Sequence, residues 1–134
     1  MTSLQQRPEE DLFVRTDYRI LFEDSHMMAV EKPSPLPVHA VGRFRKKNLL
    51  SLLQNSRENA SEFRIVNRLD SETSGVVLVA KTREAASFLG SQFEERSVQK
   101  EYVGIVFGRF EEKKGTVTLP LGSKIEDNCH LNCY

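Results

Sequence analysis

The sequence has no long apolar run. No stretch approaches the roughly 18 consecutive apolar residues that a membrane-spanning helix requires. Residues 1–17, MTSLQQRPEEDLFVRTD, also lack the apolar core of a secretory signal, and their acidic residues argue against a transit peptide. These absences predict a soluble intracellular protein with no membrane partner, located in the cytoplasm or nucleus rather than in an organelle.

The sequence also has no excess of either charge and only two cysteines. Lys plus Arg and Asp plus Glu number 19 each, so only local clusters of charge can indicate a nucleic-acid partner. Cys129 and Cys133 flank His130 in CHLNC, but a zinc site usually needs four ligands, and a second pair is missing. The sequence therefore predicts reduced structural thiols and no metal site.

Short apolar runs and turn residues alternate through the rest of the chain. Prolines at 33, 35 and 37 predict an extended loop, because they exclude a helix and a central strand. Asn48 and Thr82 are N-caps of two predicted helices. The helices cover residues 48–55 and 82–95, and the predicted strands cover residues 18–24, 26–32, 75–81, 98–110 and a stretch from residue 116. Residues 63–70 are predicted as a strand that runs into a turn. A domain that mixes α and β structure follows.

The segment GRFRKK, residues 42–47, places four cations around Phe44. Cations that neutralise phosphates and a ring that stacks on bases suit RNA binding. A solvated basic loop is the alternative. The cations are Arg43, Arg45, Lys46 and Lys47.

Two further segments carry side chains that could take part in catalysis. In NRLDSETSG, an extended backbone would put Arg68 and Asp70 on one face, where an ionised carboxylate before a buried strand is a good nucleophile. In KEY, Lys100 and Tyr102 share a strand face, and a tyrosine can stack on a base or move a proton. A surface turn and an ordinary cross-strand aromatic are the respective alternatives.

Four segments, KPSPLPVH, NRLDSETSGVVLVAKT, KEYVGIVFG and GTVTLPLG, resemble successive motifs of the RluA-type family of RNA pseudouridine synthases, and the GRFR stretch resembles its eukaryotic branch. The resemblance implies the pseudouridine synthase catalytic fold, an α+β fold with a mixed, mainly antiparallel sheet and flanking helices. It also implies that uridine is isomerised to pseudouridine in structured RNA, either tRNA or rRNA. The reaction has no redox step and no energy input, so no cofactor is expected.

Matched residue by residue, the resemblance implies that Asp70 is the catalytic nucleophile, attacking C1′ of the ribose or C6 of the uracil. Tyr102 would stack on the uracil and is a candidate for the C5 proton transfer. Arg68 would contact the RNA, and we expect it at the rim of one cleft that holds Asp70 and Tyr102. The other expected RNA-binding residues are Arg43, Arg45, Lys46, Lys47 and Lys100.

The sequence departs from the family pattern in three ways. Asn67 stands where histidine is usual, although its amide can still donate and accept hydrogen bonds. Pro35 stands where glycine is usual, which stiffens that loop. The family's domain continues beyond residue 134 to a basic motif whose arginine pairs with the aspartate, which leaves Arg68 as the expected cation beside Asp70.

We therefore expect a polar extension at residues 1–17 and a partial catalytic domain at residues 18–134, with little activity when the chain is alone. A catalytically inactive RNA-binding remnant is the alternative function. A third hypothesis is an unrelated small α/β domain in which the motifs arise by chance.

Overall fold

A computed structural model describes residues 13–42, 44–58, 60–109, 111–118, 124–126 and 129–131, and it divides at Lys100 into two compact units. The first unit contains strands β1 (Arg19–Glu23), β2 (Met27–Lys32), β3 (Arg64–Ile65) and β4 (Gly75–Ala80). It also contains helices α1 (Leu49–Asn55) and α2 (Arg83–Glu94) and a 3₁₀ turn at Ala60–Glu62. In the second unit, β5 (Lys124–Glu126) pairs antiparallel with β6 (Cys129–Leu131).

The sheet of the first unit has the strand order β1-β2-β4-β3, and every neighbouring pair is antiparallel. The turn between β1 and β2 forms because the Asp24 carboxylate accepts the backbone N–H groups of His26 and Met27, both at 2.8 Å. These hydrogen bonds lower the pKa of Asp24, since they favour the charged carboxylate. The predicted strands at residues 18–24, 26–32 and 75–81 are confirmed within one or two residues.

One face of this sheet carries the core. Residues alternate along β2 between buried and half-buried, as a two-residue period requires. The loop after β2, helix α1 and the 3₁₀ turn cover the buried face, while α2 packs against β4 and β3. The buried hydrophobic cluster comprises Met28, Val30, Leu36, Val38, Leu49, Leu53, Ala60, Phe63, Val77 and Val79.

Both predicted helices are confirmed because their starts are encoded locally. The Asn48 side chain accepts the backbone N–H of Ser51 at 3.0 Å, and the Thr82 hydroxyl accepts that of Ala85 at 3.1 Å. Each bond satisfies one of the four N–H groups that a helix start leaves without an intrahelical partner. The mainly antiparallel α+β class is also confirmed.

Two strand predictions are wrong for the residues that the structure describes. The described residues of 98–110 contain no strand, and neither do residues 115–118, because alternation assigns side chains to faces but supplies no hydrogen-bonding neighbour. Residues 119–122 of the last predicted strand lie outside the described residues. The strand predicted to run into a turn at residues 63–70 is confirmed as β3, after which the chain leaves the sheet beyond Val66. The division at residue 17 stays a prediction.

Candidate active site

The segment between β3 and β4, residues 67–74, is called here the aspartate loop. Its backbone turns where the Thr73 N–H donates to the carbonyl of Asp70 at 3.1 Å. The side chains of Arg68 and Asp70 are exposed, whereas Leu69 is half-buried against the core. The loop therefore anchors itself through Leu69 and presents a guanidinium and a carboxylate to solvent.

Asn67 fixes the point where the loop begins. Its side-chain oxygen accepts the N–H of Leu78 at 2.8 Å, and its side-chain nitrogen donates to the carbonyl of Val76 at 3.1 Å. Both partners belong to β4, so the amide side chain is bonded to the neighbouring strand through its donor and its acceptor. We call this pair of hydrogen bonds the amide bridge.

Gly75 ends the loop with a backbone φ of +131°. Glycine adopts this conformation without the steric cost that a Cβ would bring. A Cβ built at this position would lie 3.8 Å from Cδ1 of Leu69, an ordinary contact. The backbone angle, rather than a lack of space, therefore explains why glycine suits the return of the chain to the sheet.

The loop after β2, residues 33–38, holds the other side of the aspartate loop, and we call it the lysine–proline loop. The N–H of Leu36 donates to the carbonyl of Ser71 at 2.9 Å, and the Ser34 hydroxyl donates to the carbonyl of Glu72 at 2.7 Å. The backbone of the two residues that follow Asp70 is therefore bonded to a loop that lies far away in sequence.

Lys32 joins the two loops from the inside. Its side chain is fully buried, and its ammonium donates to the carbonyls of Pro33 at 3.1 Å, Leu36 at 2.7 Å and Ser71 at 3.0 Å. Three donors thus meet three backbone acceptors, which is how a buried ammonium is satisfied. Lys32 is consequently a structural centre that both loops share.

The charge of Lys32 also bears on the site. Burial lowers the pKa of Lys32, while the negative charges of Glu72 and Asp70 act to raise it. The Lys32 ammonium is therefore a buried positive charge that interacts electrostatically with the aspartate loop. The expectation that Arg68 is the cation beside Asp70 stays a prediction.

A sequence signal for Lys32 did exist. Lys32 follows Met28 and Val30 at two-residue intervals on β2, and this periodicity assigns all three to the buried face. A lysine at an inward position is rarely fully buried unless its charge is partnered. The pattern therefore indicates a buried and partnered Lys32, although it does not indicate which groups accept its hydrogen bonds.

His39 lies just beyond the lysine–proline loop, and it is half-buried. Burial lowers its pKa, and the positive charge of Arg68 lowers it further. The imidazole is therefore close enough to interact electrostatically with the aspartate loop. Both effects favour its neutral form.

The basic segment before α1 is shaped by Asn48, which is buried. The Asn48 side-chain amide donates to the carbonyls of Phe44 and Arg45, each at 3.0 Å, so the backbone of the segment is held. Arg45 and Lys46 are exposed and Lys47 is half-buried. Arg43 lies outside the described residues.

The two residues of the KEY segment fall in different units. Lys100 is exposed in the first unit, and its ammonium lies 6.0 Å from the centroid of the Phe93 ring on α2. Tyr102 belongs to the second unit and its side chain is 68% exposed. The predicted common strand face is wrong, since residues 98–109 form no strand, and the meeting of Tyr102 with Asp70 stays a prediction.

Within the described residues, no group of three or more His, Cys, Asp and Glu side chains is close enough to hold a metal ion. Of the CHLNC segment, Cys129 and His130 lie on β6, and Cys133 lies outside the described residues. No helix of the described part of the chain is long and apolar enough to cross a membrane.

Comparison with known proteins supplies the family. A family model described as RNA pseudouridylate synthase matches residues 26–131. The chain is 40% identical over 114 residues to the mitochondrial tRNA pseudouridine(32) synthase of Saccharomyces cerevisiae, an alignment that covers 85% of this chain and 24% of the relative. It is 35% identical over 124 residues to ribosomal large subunit pseudouridine synthase C of Vibrio parahaemolyticus, covering 87% of this chain and 39% of the relative.

A solved structure, human RNA pseudouridylate synthase domain containing 4, aligns with 58% of this chain and 30% of its own chain, at 26% identity and a TM-score of 0.48. The family match covers most of the 134 residues and includes the lysine–proline loop and the aspartate loop. The chain therefore belongs to the RNA pseudouridylate synthase family, as the four motifs predict. It spans between 24% and 39% of the length of the two curated relatives described above.

Proposed function

We propose that this chain carries the nucleophile of an RNA pseudouridine synthase, with Asp70 as the attacking carboxylate. The observation that carries the proposal is the display of Asp70 on a loop fixed on both sides. The amide bridge holds the loop three residues before Asp70, and the lysine–proline loop holds the carbonyls of Ser71 and Glu72 directly after it. A loop backbone held this way limits the positions that the Asp70 carboxylate can take before it attacks.

The chemistry is an isomerisation in which atoms balance without a co-reactant. The N1–C1′ bond of uridine breaks, the uracil turns, and a C5–C1′ bond forms. The C5 proton is then lost and N1 carries a proton instead. Asp70 either displaces N1 from C1′ and is itself displaced when C5 attacks C1′, or adds to C6 and leaves again once the C5–C1′ bond has formed. Tyr102 would stack on the uracil and serve as a candidate for the C5 proton transfer.

The substrate we propose is structured RNA, either tRNA or rRNA, because relatives named for each type align with the chain. The target nucleotide must leave its stack to reach Asp70, and the exposed Arg68, two residues earlier in the chain, would contact the RNA as it does so. The cations proposed to contact phosphates are Arg43, Arg45, Lys46, Lys47 and Lys100.

Release of tritium from RNA that contains 5-tritiated uridine tests the proposal, because the C5 hydrogen leaves only when the C5–C1′ bond forms. The assay is run on the 134-residue chain and on the longest product of the same gene, with tRNA and rRNA transcripts as separate substrates. We expect little release by the 134 residues alone, release by the longer product, and none from its Asp70→Asn variant.

Glu72→Gln is the matched control, since it removes the same charge from an exposed position on the same loop. We expect this variant to keep most of the release. Release by Asp70→Asn equal to that of the unchanged protein would refute the nucleophile. RNA binding without release by any product would instead support an inactive RNA-binding remnant.

The compartment is part of the same proposal. The composition of residues 1–17 predicts a cytoplasmic or nuclear location, whereas the yeast relative carries mitochondrial in its name. An organellar location is therefore the competing proposal. Microscopy of the fluorescently tagged protein beside a mitochondrial marker decides between the two.

A further inference from the structure

The amide bridge occupies the place of backbone hydrogen bonds that a longer strand would make. The register of β3 and β4 pairs Ile65 with Val79, so continued pairing would set Val66 opposite Leu78 and Arg68 opposite Val76. Such pairs exchange both of their backbone hydrogen bonds in an antiparallel ladder. The carbonyl of Val66 would then accept the N–H of Leu78, and the N–H of Arg68 would donate to the carbonyl of Val76.

The observed structure keeps one hydrogen bond of this continued ladder and replaces two others. The N–H of Val66 still donates to the carbonyl of Leu78 at 2.8 Å. The N–H of Leu78 and the carbonyl of Val76 are instead bonded to the side chain of Asn67. One carboxamide therefore substitutes for one peptide acceptor and one peptide donor.

This substitution frees the main chain to leave the sheet. The β4 groups keep their partners, so the departure of residues 67–70 leaves neither of them without a hydrogen bond, which would cost roughly 1–3 kcal/mol per group if buried. Arg68 and Asp70 can consequently stand off the strand edge with exposed side chains. The position of Asp70 then depends on where Asn67 fixes the chain.

We propose that Asn67 is a positioning residue that sets the location of the Asp70 carboxylate through the amide bridge, without contacting the RNA. The inference rests on the proposed function. The lysine–proline loop fixes the chain after Asp70, and the amide bridge fixes it before. Loss of the bridge moves the last hydrogen bond before Asp70 back to Val66, so the carboxylate samples positions away from the reacting carbon.

The test uses three variants of the longest product of the gene. Asn67→Leu removes both bonds at similar volume, and Asn67→Asp keeps an acceptor for Leu78 but has no donor for Val76. We expect both to lower kcat for tritium release by roughly 10- to 100-fold with KM nearly unchanged, because a small misplacement of a reacting group has this effect. Asn67→His, measured at pH 8, keeps a neutral nitrogen that can accept from Leu78 and should restore most of kcat.

A readout that does not depend on activity accompanies the kinetics. Hydrogen exchange at the Leu78 amide should be slow in the unchanged protein and at least 10-fold faster in Asn67→Leu, while the Val30 amide on β2 keeps its exchange rate and reports intact folding. Asn55→Asp, at the exposed end of α1, is the matched control and should alter neither kcat nor exchange.

The outcomes separate the two proposals. An unchanged kcat in Asn67→Leu, with Asp70→Asn inactive, would overturn the positioning role while the proposed function stands. Unchanged exchange at Leu78 in Asn67→Leu would show that the amide bridge is not formed, and this also overturns the inference. A third outcome is that the unchanged protein releases no tritium, while Leu78 exchanges faster in Asn67→Leu. This outcome would refute the proposed function and the positioning role of Asn67 in catalysis. It would support only the existence of the amide bridge.

Discussion

Replacement of Lys32 by methionine should destabilise the fold more than its single lost charge suggests. The Lys32→Met side chain fills nearly the same buried space but donates no hydrogen bond. The carbonyl of Ser71 keeps the Leu36 N–H, whereas those of Pro33 and Leu36 lose the ammonium donor. A buried acceptor that loses its partner costs roughly 1–3 kcal/mol, so two of them cost about 2–6 kcal/mol.

Two effects place the expected loss in the lower half of that range. Burial of the ammonium is itself unfavourable, as the lowered pKa of Lys32 indicates, and methionine removes that cost. The aspartate loop also keeps its bonds to Leu36 and Ser34. We therefore expect the free energy of unfolding to fall by roughly 2–4 kcal/mol, measured by urea denaturation and followed by circular dichroism.

Lys81→Met provides the matched comparison, since it makes the same chemical change at a position next to the same sheet. The Lys81 ammonium binds the carboxylate of Glu23 at 2.9 Å and the carbonyl of Asp24 at 2.6 Å, close to solvent. An ion pair of this kind contributes about 0–1 kcal/mol. Equal losses in the two variants would refute the reasoning that burial and the shared carbonyls set the role of Lys32.

Two further predictions concern stability. Hydrogen bonds from Lys81 and Arg57 lower the pKa of Glu23 below its ordinary value of 4.5. The ionised Glu23 therefore adds about 1 kcal/mol to the free energy of unfolding above pH 4.5. This contribution is lost as the pH falls through the folded-state pKa. The difference in urea midpoint between the unchanged protein and Glu23→Gln should therefore be larger at pH 7 than at pH 3, and equal differences would contradict this linkage. Gly75→Ala should lower the free energy of unfolding by roughly 1–3 kcal/mol because of its φ of +131°, whereas Gly90→Ala within α2, where nothing crowds an added Cβ, should raise it. A loss at Gly90 as large as that at Gly75 would argue against backbone strain as the cause.

The sequence predicted the parts of the fold that local chemistry decides. Asn48 and Thr82 start the two helices through bonds to residues three positions away, and the apolar runs at β2 and β4 form strands wherever a partner exists. The segment around Val103 has an equally strong β pattern, but the described part of the chain supplies no strand beside it. The alternating pattern of this segment therefore does not produce a strand.

The candidate site divides in the same way. Asp70 and Arg68 could be chosen from one motif, because residue type and spacing carry the chemistry. The role of Lys32 could not be read from its own motif, since its acceptor at Ser71 lies 39 positions away in the chain. The role of Asn67 likewise depends on the register of β3 with β4, which no local pattern specifies.

Lys32 pairs with Gly75 in the register of β2 and β4. This pairing sets the distance between the lysine–proline loop and the aspartate loop. Both loops leave the sheet at the same end, so a shift of one residue between these strands would turn the Lys32 side chain to the opposite face and separate its ammonium from Ser71. Changes in chain length between residues 24 and 26, at the far end of β2, leave this distance unaltered. One added residue between 32 and 36 alters it directly, so the two ends of a single strand differ in the freedom with which they can vary.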